Sequence, residues 1–259
     1  LMIQYTHEDV NRIFMQNQQN FFGGKLHNGE EKFKLGLVPK FTDMTKSGKT
    51  FAILGILWKV FLIVIAMHLI CIFIQFTIAG SVSRKNPLTL IKNQVPGYTT
   101  ALGTQSSAAT IPVNLQCAEA DGVCSQIRNF VVPLCANIHM AGSMITITAC
   151  ATAVCLMNQL PISLATVIPF IMTLGIAMVA SPGAPGGSIM TAFRSVPDMV
   201  FGAEAGDPEG AICAIMVALY ITQDSFGTAC NISGDNAIGI IIDTIYKKFI
   251  LKTPQPQEN

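Results

Sequence analysis

The stretch Tyr220–Asp235, YITQDSFGTACNISGD, constrains this chain more than any other. At about 100° per residue, Asp224, Thr228, Asn231 and Asp235 fall within a helical stripe roughly 60° wide. Gly227 and Tyr220 lie along it, and the flanks, AICAIMVALY before and AIGIIIDTIY after, are apolar. A seam of two carboxylates, an amide and a hydroxyl is costly in a soluble core or in lipid unless partners satisfy it. It is either a polar stripe that joins helices or a site that binds a polar solute.

The composition decides the surroundings. Only 12% of the 259 residues are charged and the mean hydropathy is +0.49, against about 25% charged in an average soluble domain. Much of the charge sits in residues 1–49, so the remainder reads as an all-α integral membrane protein. A net charge of +1 excludes nucleic acid as an electrostatic partner. The eight cysteines form no CxxC pair, and most lie in apolar runs. They read as small buried hydrophobes rather than disulfides or metal ligands.

Residues 1–49 are polar, without sustained periodicity, and His7 and His27 have no partner at ligand spacing. No cleavable signal is expected, because no apolar core follows the charged start. The first span is expected at 50–82, longer than the roughly 20 residues a crossing needs. Within it Lys59 can snorkel and His68 suits a helix–helix hydrogen bond better than a ligand role. Arg84, Lys85 and Lys92 place the end of this span in the cytoplasm, although Lys40, Lys46 and Lys49 weaken that assignment. Residues 87–120 hold two half-length helical runs around Thr104–Ser107, which predicts a re-entrant hairpin whose tip lies in protein or water. Residues 126–158 are long enough to cross, but NIHMAGS (Asn137–Ser143) predicts a break near His139–Gly142. Carbonyls exposed there would suit a cation. His139 reads equally as a satisfied interior histidine or as part of a site. Residues 161–200 repeat the hairpin theme around SPGAPGGS, Ser181–Ser188. The loop Asp198–Glu209 has four acids and no base, which suits the outside face; Lys247, Lys248 and Lys252 suit the inside. A last span over 208–248 and a cytoplasmic tail over 249–259 complete the plan. Two hairpin-plus-helix units of opposite orientation are the inverted-repeat plan of secondary transporters.

From about Lys49 to Lys248 the chain resembles the glutamate-transporter-type dicarboxylate/amino-acid:cation symporters. The resemblance rests on four motifs in order: TQSSAATIPV at Thr104–Val113, HMAGS at His139–Ser143, SPGAPGGS at Ser181–Ser188 and DSFGTACNISGD at Asp224–Asp235. It implies a transport domain over 50–248 with two re-entrant hairpins in inverted repeat, an elevator-type mechanism, and location in a cell membrane of bacterial inner or plasma-membrane type. The implied substrate contacts are Ser106, Ser107, Ser143, Ala184, Pro185, Gly186, Asp224, Gly227, Thr228 and Asn231. Asp224 would hold the substrate ammonium, and Asn231 would be shared between substrate carboxylate and sodium. Sodium would be held by Cys135, His139, Val179, Ser181, Asn231 and Asp235, with Ala180 and Gly183 in the sealing outer tip. Sodium is the implied co-transported ion, and a proton is a further candidate.

Three departures shape the expectation. Acidic-substrate members carry an arginine where Gly227 stands, a planar partner for a carboxylate side chain. Its absence points to a neutral substrate and leaves room for a small side chain or water, as in serine/threonine-type members. Second, Ala141 and His139 replace the aspartate and asparagine of the usual NMDGT, so one sodium site should be weak or absent. Third, residues 1–49 do not contain the family's preceding helices, so a truncated chain is expected, and a family-like homotrimer only if scaffold helices are supplied. The alternatives are a dicarboxylate or cystine symporter of the same family, and a non-transporting membrane fragment or partner subunit. An intramembrane hydrolase using Ser106 or Ser107 with His139 lacks the Gly-x-Ser-x-Gly elbow; no enzyme is expected.

Overall fold

The computed structural model describes residues 49–157, 162–195 and 211–251, with side chains over 58–157, 162–192 and 216–251. The polar segment 1–48, the acidic loop 198–209 and the tail beyond 251 lie outside the described residues. The chain divides into two units, Leu1–Leu54 and Gly55–Asn259, and the packing below belongs to the second. Among the described residues every regular element is a helix.

Helix α1, Lys49–Ser83, is apolar on nearly all sides. Val64, His68, Ile72, Phe76 and Ala79 recur at three- and four-residue steps and are buried, whereas Trp58, Leu62, Ile63, Ile70, Phe73 and Ile74 are exposed. One face packs on protein and the rest offers hydrocarbon, as lipid requires. Trp58–Ser83 and Ser125–Met157 are long and apolar enough to cross a membrane.

Helices α2, Pro87–Thr104, and α3, Ser107–Ala120, are antiparallel neighbours, cross-linked by Thr104 to Thr110 and Gln94 to Asn114. Asn86 caps α2 by accepting from the Leu88 N–H, and Pro87 stands at the first helical position, where its missing donor costs nothing. Gln105 ends α2 in the left-handed region, φ 52°, which reverses the chain, and Ser106 then caps α3 through the Ala109 N–H. Helix α4, Ser125–Ile138, is separated from α5, Ala141–Met157, by His139 and Met140, with His139 extended. Helices α6, Leu164–Met178, and α7, Gly187–Ser195, flank a loop, and α8, Ala211–Phe249, follows.

Helix α8 is the axis of the fold. Every residue from Gly227 to Ala237 is buried, so no face of this stretch meets lipid. One core cluster joins α5, α6, α7 and the first part of α8 around Leu174, Ile147 and Tyr220. A second joins α1 to α4 with its later part around Phe76, Leu90 and Ile240. The approach of α5 to α8 is backbone-close: a Cβ on Gly142 would meet the Gly227 carbonyl oxygen at 2.2 Å. Glycine is the side chain that permits this crossing.

Candidate functional site

The polar seam of α8 is surrounded on all sides. Asp224, Thr228, Asn231 and Asp235 are each at most 5% exposed. The α2–α3 loop meets the α6–α7 loop over its first part. Ser106 Oγ donates to the Gly183 carbonyl at 2.8 Å, and the Ala108 N–H donates to the same oxygen at 3.1 Å. A Cβ on Gly183 would lie 2.6 Å from the Ala136 carbonyl, so this seat on α3 and α4 requires glycine. From the same loop the Gly186 N–H donates to Asp224 Oδ2 at 2.9 Å, while Tyr220 donates its phenol proton to Asp224 Oδ1 at 2.8 Å. Gln105 Nε2 donates to Ser225 Oγ at 2.8 Å, a second link from a loop to α8.

Two turns beyond Asp224, Asn231 reads the broken segment. Its Oδ1 accepts the N–H groups of Gly142, at 2.7 Å, and Ser143, at 3.2 Å; its Nδ2 donates to Ser143 Oγ at 2.9 Å and faces Met140 Sδ at 3.4 Å. The first amides of a helix lack intrahelical acceptors, and Asn231 supplies one for α5 from another helix. Asp235 then faces His139, Oδ1 to Nδ1 at 2.9 Å, and Gln75 Nε2 of α1 lies 3.5 Å from the other imidazole nitrogen. Asp235 Oδ2 and Gln75 Oε1 are buried with no hydrogen-bond partner.

Ser106, Gly183, Gly186, Asp224, Ser143 and Asn231 thus lie on one linked set of contacts, with Ser107, Gly227 and Thr228 buried beside them. Ala184 is half-buried and Pro185 exposed in the same loop. Ser181 donates to Ser188 within the α6–α7 pair, and Val179 is 57% exposed. The carbonyl of Cys135 accepts from the His139 N–H at 2.8 Å. No group of three or more His, Cys, Asp or Glu residues that could hold a metal occurs among the described residues. A hard cation takes oxygen ligands. Asp235 Oδ2 has the oxygen to offer, whereas Asn231 Oδ1 is already taken by two amides.

The room expected at Gly227 is a correction. A Cβ there would meet Thr146 Oγ1 at 3.1 Å and the Gly142 backbone at 3.5 Å, so the space is filled by α5 rather than open to a ligand. His68 does bridge helices: its Nε2 lies 3.0 Å from the Gly142 carbonyl oxygen and 3.2 Å from Thr146 Oγ1. His139 faces Asp235, and Ser106 donates to a backbone carbonyl, so neither forms the serine–histidine pair of a hydrolase. Sequence reasoning missed Gln75, which no local pattern marks within a run of apolar residues. It also missed the bond from Tyr220 to Asp224, although their four-residue spacing carries that signal.

Carboxylates buried this deeply, with two helix-connecting loops drawn over them between lipid-compatible helices, mark the class: a membrane protein whose polar interior is kept away from lipid. The family follows from comparison with known sequences. The profile of the sodium:dicarboxylate symporter family matches residues 35–245, and the chain belongs to that family. Its members are symporters, not enzymes. The chain is 30% identical over 182 residues to the serine/threonine transporter SstT of Acinetobacter baylyi, covering 70% of this chain and 45% of that one. It is 30% identical over 157 residues to the human neutral amino acid transporter B(0), covering 59% of this chain and 28% of the relative. With the putative sodium-dependent excitatory amino acid transporter glt-6 of Caenorhabditis elegans it shares 28% identity over 170 residues, 64% of this chain and 30% of the relative. The chain spans less than half the length of these relatives.

Proposed function

We propose that this chain forms the substrate- and sodium-binding domain of a symporter for small neutral amino acids, moving them by an elevator-type displacement. Helices α2–α3 and α6–α7 act as re-entrant hairpins of opposite orientation, and α8 holds the solute between their tips. Asp224 takes the substrate ammonium, Asn231 and the amides at the start of α5 lie beside its carboxylate, and Asp235 contributes to sodium. The observation that carries this reading is the Gly186–Asp224 hydrogen bond of 2.9 Å. It closes a mobile type of element, a loop, directly on the carboxylate that would hold the solute, so opening that loop and binding an amine are the same event.

Neutrality of the substrate is supported by the glycine at 227, where no cation stands to pair a second carboxylate. An unpaired anion in so buried a seam would cost several kcal/mol. The test is labelled-serine binding to the purified chain in lipid nanodiscs, in sodium chloride and in choline chloride, with uptake into cells lacking endogenous transporters alongside. Saturable binding that requires sodium is the expected result. Serine bound equally in both salts, or not at all, overturns the reading.

A further inference from the structure

We propose that Cys71 of α1 and Cys230 of α8 form a paired-thiol site for an apolar trivalent arsenical, which bridges the two sulfurs and ties the helices together. The two residues share no motif, and as sequence they read as small buried hydrophobes. The packing of α1 on α8 changes that for this pair. Cys230 Sγ lies 3.9 Å from the His68 carbonyl oxygen. Cys71 stands three residues beyond His68, on the same face of α1, so the Cys230 sulfur sits over the turn that carries it. The two thiols lie within hydrogen-bonding reach of each other. They share one core cluster, and neither is in a disulfide.

The pair is backed on one side and open on the other. Cys230 is 0% exposed, and a Cβ on Gly142 would stand 2.7 Å from the Cys230 Cβ, so α5 backs it closely. Cys71 is only partly buried, and its neighbours Met67, Ile70 and Ile74 are exposed on the apolar face of α1. A ligand therefore arrives through hydrocarbon, which favours an apolar carrier over a hydrated ion. No group of three or more His, Cys, Asp or Glu residues surrounds a common point among the described residues, so the four ligands that zinc takes are not offered. Two sulfurs side by side suit a centre that takes two, such as an arylarsenic(III) oxide. Two As–S bonds form, the two thiol protons and the oxide oxygen leave as one water, and arsenic stays trivalent. The product is uncharged, as so apolar a place requires. Binding of the second sulfur is intramolecular, which raises the affinity of the pair about 10²–10⁴-fold over a single thiol.

The probe is phenylarsine oxide, added to the full chain in lipid nanodiscs with an excess of 2-mercaptoethanol, a monothiol that strips arsenic from single cysteines. Intact-protein mass and peptide mapping read the adduct. The parent is expected to retain a bridge between the α1 and α8 peptides and to release it to a dithiol such as dithiothreitol. Cys71→Ala and Cys230→Ala should each weaken retention about a hundredfold or more. Cys71 is the less buried partner, so its variant stays informative if Cys230→Ala fails to fold, and the peptide map of the parent needs no variant. No retained adduct in the parent, a bridge between other cysteines in its place, or undiminished retention in Cys71→Ala overturns the inference. The readout requires neither serine nor sodium. Failure here leaves the transport reading untouched, and a chain that binds no serine still leaves the adduct to decide this site.

Discussion

His139 Nδ1 lies 2.9 Å from Asp235 Oδ1, and Asp235 Oδ2 is buried without a hydrogen-bond partner. A carboxylate that is 0% exposed with one oxygen satisfied and one not is costly as it stands. A small cation at Oδ2 would offset that cost. A Cβ on Gly234 would come within 2.2 Å of His139 Cε1 and 2.8 Å of Gln75 Nε2, so His139 and Gln75 both pack against the glycine that precedes Asp235.

Asp235→Ala is therefore expected to remove the sodium dependence of serine binding, leaving affinity at saturating sodium no better than that measured without it. The measurement is a sodium titration of serine affinity in parent and variant. Identical sodium curves would show that the cation sits elsewhere.

Asp224→Asn tests the other end of the seam. The amide keeps the size, and its carbonyl oxygen can still accept from the Gly186 N–H while its NH2 donates to the Tyr220 oxygen, but it loses the charge that an ammonium requires. Losing one partner of a buried charge pair costs about 2–5 kcal/mol, so serine affinity should fall by roughly thirtyfold or more. Membrane insertion and thermal midpoint should hold. Equal binding by both proteins would remove Asp224 from the site.

How much of this was legible before any coordinates existed depends on the kind of signal. The all-helical class was, because apolar runs with so little charge leave few alternatives. The seam residues were, because 100° per residue places them on one stripe whatever surrounds them. Partners on other helices were not. Gln75 lies within LICIFIQFTI, and only the packing of α1 against α8 gives it meaning. The filling of the Gly227 site by Thr146 also depends on the distance between two helices, which no period in either sequence encodes. The glycine signalled a missing side chain but not whether ligand or protein occupies the gap.

The α5–α8 crossing sets up a contrast between glycines. Gly142→Ala would press a methyl into the Gly227 carbonyl, and backbone on both sides leaves little to yield. It should cost about 1–3 kcal/mol. Gly239, later on α8, has nothing within 4 Å of its Cβ position, and Gly239→Ala should stabilise the helix by about 0.5–1 kcal/mol. Thermal midpoints in a common detergent compare them; a Gly142→Ala protein as stable as the parent would show that the helices can separate without loss.

Asp121, in the turn between α3 and α4, is 3% exposed and accepts from Asn93 and Asn236, both at 2.8 Å, while Lys85 donates to its backbone carbonyl. Burial pushes its carboxyl up to about 6, against the opposing pull of the two amides and Lys85. A raised carboxyl value means that the folded protein favours the protonated form. Its stabilisation is present in full below the unfolded value near 4 and is lost as pH rises through about 6, by about 3 kcal/mol at most. Asp121→Asn cannot ionise. The stability of parent relative to variant should decline from about pH 4 to pH 7; a difference independent of pH would show that Asp121 does not ionise in that window.

Gly227 offers the sharpest test of substrate charge. An arginine there would bring a planar donor fork suited to a carboxylate side chain. Its Cβ, however, would stand 3.1 Å from Thr146 Oγ1, an atom fixed by the Gly142 carbonyl at 3.1 Å and by His68 at 3.2 Å. Gly227→Arg alone should therefore lower the thermal midpoint and serine binding without gaining aspartate. Combined with Thr146→Ala, which removes the obstructing oxygen, it should turn preference toward aspartate, because specificity is a difference of two affinities. The two substitutions touch the same contact, so their effects should be strongly non-additive, and a double-mutant cycle measures this directly. The assay is competition of labelled serine by unlabelled aspartate across parent, both single variants and the double variant. Aspartate binding by Gly227→Arg alone would show that α5 yields to the new side chain. A parent that already prefers aspartate would overturn the neutral-substrate reading and require another cation, such as His139 at Asp235.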